Sequence, residues 1–127
     1  MQETKLYEYA VIRIVPRVER QEFINAGILL FSKKQKYLNC RYELNAGKLH
    51  CLYADADLEF IRRNLQSFED IALGKHSQSP IALLDAPERF RWLTATRSTV
   101  IQCSKVHPGL CIDEEDTLQN LFDQYVK

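Results

Sequence analysis

A chain of 127 residues with 46% hydrophobic and 27% charged side chains has the size and composition of one ordinary water-facing domain, which excludes the fibrous, disordered and membrane-embedded classes. Seventeen Lys plus Arg balance seventeen Asp plus Glu, so no net field draws it to nucleic acid or an anionic membrane; neither role is expected without a local patch. The opening "MQETKLYEYAVIRIV" lacks the basic start and unbroken apolar segment of a secretory signal, so a cytosolic single domain over residues 1–127 is expected.

"LYEYAVIRIV", Leu6 to Val15, is rich in β-branched and aromatic residues and stops at Pro16, which predicts a first strand. Ala10, Ile12 and Ile14 point to one face, while Tyr7, Tyr9, Val11, Arg13 and Val15 point to the other. Both faces are largely apolar, so the strand should be central, and Arg13 among apolar neighbours should need a partner. "FINAGILLF", Phe23 to Phe31, predicts a second strand, with Gly27 implying a bulge or a close backbone approach. After the charged turn "SKKQ", a third strand is expected over Lys36 to Leu44. "NAG", Asn45 to Gly47, reads as a hairpin turn returning "KLHCLYA" as a fourth strand of an antiparallel meander.

From Asp57 the period changes: Leu58, Ile61, Leu65, Phe68 and Ala72 predict a helix capped by Asp57 and stopped at Gly74. "KHSQSP" is expected to be a loop. A short helix over Asp85 to Ala95 has a capping Asp and an early Pro, and a fifth strand is expected over Ser98 to Val106 before "HPG" breaks the chain. "DEEDTLQNLFDQYV" has acids at the positive end of a helix and Leu118, Leu121, Phe122 and Tyr125 on one stripe. Strands first and helices later predict an α+β fold, an antiparallel sheet of about five strands with three helices packed against it.

Cys40, Cys51, Cys103 and Cys111 are expected to be reduced thiols. Cys103, His107 and Cys111 are spaced C-x3-H-x3-C, but Pro108 and Gly109 interrupt the helix that would gather them, and a fourth zinc ligand is missing. Asp55 and Asp57 are more simply helix-start acids than a magnesium site. Neither a metal nor a cofactor is expected, and no residue is assigned a catalytic role.

The blocks "YEYAVIRIVPRVERQEFINAGILLF" and "RFRWLTATRSTVIQCSKVHPGLC" resemble the two signatures of a small bacterial family, domain of unknown function 3037, over nearly the whole chain. The resemblance implies glycine at the position of Gln21, valine at Ala26 and proline at Thr96, where this chain departs from it. It also implies a companion, since members of the family resemble gene neighbours of a HipA-like serine/threonine kinase.

The richest constellation combines Arg13, Arg17, Glu22, Arg97, Ser98, Thr99 and His107. Two readings stand. Arginine forks and hydroxyls converging in a cleft would suit a carboxylate or phosphate. Alternatively, Arg13 and Arg97 pair with Glu22, Glu88 or the acids from Asp113 to Asp116 and tie helices to the sheet. Arg89, Phe90 and Trp92 are candidate interface residues, because Trp and Arg are favoured anchors. The function expected is a non-enzymatic interaction or regulatory module, working with the HipA-like kinase that the resemblance implies. The alternative is an enzyme or sensor that binds a phosphorylated or carboxylate ligand, or nucleic acid, in an Arg-lined groove. The oligomeric state is left open.

Overall fold

The alternating apolar residues of the first segment form β1 (Lys5–Ile14), the centre of an antiparallel sheet in a computed structural model that describes residues 3–75, 80–95 and 99–127. β2 (Ile24–Ser32) pairs along one side of β1, and β3 (Tyr37–Tyr42) pairs with β2. Along the other side of β1 lie two short strands, β4 (Ile101–Cys103) against Ile12–Ile14 and β5 (His107–Cys111) against Lys5–Tyr9. Ser104 spans the break between them: its Oγ accepts the Val11 N–H at 2.8 Å, and its own N–H donates to the Val11 carbonyl at 2.9 Å. One residue thus satisfies both backbone groups of Val11 where the edge is interrupted.

The period-2 alternation buries β1 on both faces. Ile12 and Ile14 pack with Leu29 and Phe31 of β2 beneath α1 (Ala46–Leu52), α2 (Leu58–Leu73) and α3 (Ala86–Thr94). Val11, Ile28 and Leu30 face the other way, against Leu118, Leu121 and Phe122 of α4 (Glu114–Tyr125). The described residues therefore form four α-helices on two faces of the sheet, one more than the three expected, and not all packed against one face.

Gly27 meets both expectations placed on it. Ile12 pairs with Gly27 and Arg13 with Asn25, so Ala26 is the unopposed residue of a bulge. A side chain at Gly27 would run into the Arg41 carbonyl and come within 2.7 Å of the Tyr42 Cβ.

α2 follows its pattern: Asp57 accepts the Phe60 N–H, Gly74 closes the helix at φ 66°, and Ile61, Leu65, Phe68, Ile71 and Ala72 are buried. Asp85 and Asp113 cap α3 and α4 in the same way. The predicted fourth strand is instead α1. Asn45 is extended and uses its side chain to accept the Lys48 N–H, so "NAG" starts a helix rather than a hairpin. The predicted fifth strand shortens to Ile101–Cys103, with Ser98 outside the described residues, and "HPG" lies inside β5 rather than breaking the chain. Pro108 is tolerated because β5 is an edge strand, and Gly109 leaves room for the Tyr7 ring, which would stand 2.5 Å from a Cβ there. Among the described residues no helix is long and apolar enough to cross a membrane.

Candidate functional site

β1 ends where Pro16 fixes φ and removes an N–H, and the chain passes through a 3₁₀ turn, Val18–Arg20, before β2. This corner faces the start of α2 across an open groove of about 960 Å³. Val15 to Glu19 line one side, Tyr53, Asp55, Asp57, Phe60, Ile61 and Asn64 the other, and Thr99 and Val100 complete it. The Val15 N–H donates to the Val100 carbonyl at 2.7 Å, which ties the corner to the approach to β4. Arg17 donates through Nε to Glu19 at 2.8 Å, and its guanidinium lies 5.6 Å from the centre of the Tyr53 ring. Glu19 is held below the usual carboxylate range, first by a hydrogen bond to its own backbone N–H and then by Arg17. Asp57 spends one oxygen on the Phe60 N–H at 3.1 Å. Phe60 is 48% exposed.

Asn64 and Thr99 also border a second hollow of about 160 Å³, where Trp92, Leu93, Ala95, Ile101 and Gln102 meet Ser67, Phe68 and Ile71 of α2. Trp92, Leu93, Ala95, Thr99, Ile101 and Gln102 thus supply one wall of a surface beside α2. Arg97 and Ser98, candidate ligand residues that fall between Ala95 and Thr99 in the sequence, lie outside the described residues.

Of the other candidates, the groove brings together only Arg17 and Thr99 among the described residues. Arg13 alternates with Ile12 and Ile14 and so points to the α4 face, where its Cζ sits 4.1 Å from the centre of the Phe23 ring. Three of the acids expected to meet it are engaged elsewhere. Glu22 pairs with Arg20 at 2.6 Å and Glu114 with Lys5 at 2.9 Å, while Glu115 accepts from Tyr37. Arg13 has no ion pair among the described residues, and its Nε is buried without an acceptor. Asn25, its partner across the strands, leaves Oδ1 buried without a donor while Nδ2 donates to the Tyr125 carbonyl at 3.2 Å.

His107 is exposed on β5 with its ring 5.4 Å from that of Tyr9. The Tyr9 hydroxyl shares a 2.9 Å hydrogen bond with Tyr125, and burial, with that bond, pushes its pKa up to about 12. Phe90 is buried and stacked on Phe31, ring centres 5.0 Å apart, as a core residue. Arg89 is half-buried with its guanidinium over Gly74, at the end of α2 where the helix dipole favours a cation.

The C-x3-H-x3-C spacing also resolves. His107 and Cys111 stand four residues apart on one strand, about 13 Å at strand rise, too far to share an ion. Among the described residues no three of His, Cys, Asp and Glu converge as metal ligands.

Glu19, Tyr53, Phe60 and Asn64 are groove residues that sequence reasoning missed. Tyr53 falls in the expected fourth strand but is the residue that ends α1. Phe60 did leave a signal, being a large apolar residue off the buried stripe of α2.

No curated protein and no solved structure matches the chain. The family described as "Protein of unknown function (DUF3037)" matches residues 9–126, nearly the whole length, and the chain belongs to that family.

Proposed function

We propose that this protein is a non-enzymatic interaction or regulatory module that docks a partner protein in the groove between the Pro16–Glu19 corner and α2. The observation that carries this reading is the groove itself. It is open, and it mixes an exposed Phe60 and a half-buried Tyr53 with carboxylates, an amide and a hydroxyl, as a protein-binding surface does. The HipA-like serine/threonine kinase implied by the family resemblance is the first partner to test. Co-expression followed by size-exclusion chromatography should give one co-eluting species, and separate elution at all concentrations would refute the pairing.

A second reading, a sensor or enzyme for a phosphorylated or carboxylate ligand, is favoured by Arg13, a half-buried guanidinium without a carboxylate partner among the described residues. Thermal-shift screening with phosphate, nucleotides and dicarboxylates tests it, since a specific ligand raises the melting temperature by mass action. A shift abolished by Arg13→Met supports the reading, and no shift with any of them removes it.

A further inference from the structure

We infer that the docking groove takes an extended basic segment of the partner, with a Lys or Arg head set against Asp55 and Asp57 and an apolar neighbour resting on Phe60. The inference rests on the interaction reading above and specifies the chemistry of the occupant. Three acids and one base carry the charge of the groove among its described lining residues: Glu19, Asp55 and Asp57 against Arg17. Arg17 and Glu19 neutralise each other through their 2.8 Å bond, which leaves two carboxylates facing solvent. Asp55 makes no hydrogen bond or ion pair among the described residues, and Asp57 uses one oxygen to cap α2. An anionic ligand would face both carboxylates. The positive end of α2, which could otherwise attract it, is already compensated by Asp57.

The length of the surface points to a peptide rather than a small cation. Phe60, Asn64, Ser67 and Ile71 form one stripe of α2 along the two connected hollows. The eleven steps from Phe60 to Ile71 rise about 16 Å along the helix, the length of about five residues of extended chain.

The test uses the full chain and two sets of dye-labelled short peptides of matched length, one alternating Lys or Arg with Leu and the other alternating Asp or Glu with Leu, read by fluorescence anisotropy. The basic set should bind, more weakly as salt rises, and Asp55→Asn with Asp57→Asn should weaken it about tenfold. Asparagine is a good cap, so the melting temperature of that variant should stay close to wild type, which separates lost charge from lost fold. Three outcomes overturn the inference: acidic peptides binding as well as basic ones, basic peptides binding the double variant as tightly as wild type, or no peptide of either set binding. If the kinase still co-elutes in those cases, the interaction reading stands without the basic segment; if it does not, both fall.

Discussion

Gln21 closes the 3₁₀ turn at φ 59°, in the left-handed region where a Cβ costs roughly 1–2 kcal/mol. The family resemblance implies glycine at this position, and the backbone supplies the reason. Gln21→Gly should raise the unfolding free energy by about 1 kcal/mol, the relieved strain being partly offset by the greater freedom of glycine in the unfolded chain. Urea unfolding with an unchanged m-value checks this, and a loss of stability would contradict the assigned backbone. Tyr9 sets a pH dependence. Its folded pKa is raised from 10 to about 12, so the folded state holds a proton that the unfolded state releases first. That stability is fully present below pH 10 and is lost as pH rises through 12. Tyr9→Phe should flatten the fall in urea midpoint across that window. Arg13 shows what residue-level reading delivers: its need for a partner is legible from its apolar neighbours, but the partner is the ring of Phe23, just before β2. Nothing in sequence spacing distinguishes that ring from the carboxylate expected.

At the scale of elements, legibility follows length and capping. α2 runs for sixteen residues with a cap, a stripe and a terminating glycine, and all three signals agree in advance. α1 has only seven residues, over which strand and helix periods cannot be told apart, and Asn45 serves equally as a turn residue or a cap. Asn45→Ala should therefore cost about 1 kcal/mol by urea unfolding, while Asn45→Asp should cost little. Equal effects of the two would count against a capped helix. The split of the last strand was hidden for another reason. Ser104 looks like an ordinary polar strand residue until Val11 is seen to bond to it from both backbone groups.

In the whole molecule, the side of the sheet decides which candidates meet. Arg13 and Arg17 are four residues apart, yet strand alternation sends Arg13 to the α4 face while the turn after Pro16 carries Arg17 to the groove beside α2. The groove is assembled from the corner after β1, the start of α2 and the approach to β4, three stretches distant in sequence. Composition and motif spacing give no information about such a meeting, which depends on the order β3-β2-β1-β4. The segment from Arg89 to Cys103 divides accordingly: Phe90 and Leu93 hold α3 to the core, and Trp92, Thr99 and Gln102 reach the surface. The most direct test of the groove as a docking site is size-exclusion chromatography of the chain co-expressed with the HipA-like kinase, in wild type and in Phe60→Ala. This substitution removes an exposed ring while leaving the buried stripe of α2 intact. If the groove docks the kinase, the wild type co-elutes and Phe60→Ala, folded to the same melting temperature, dissociates; separate elution of the wild type, or a complex indifferent to Phe60→Ala, would contradict it.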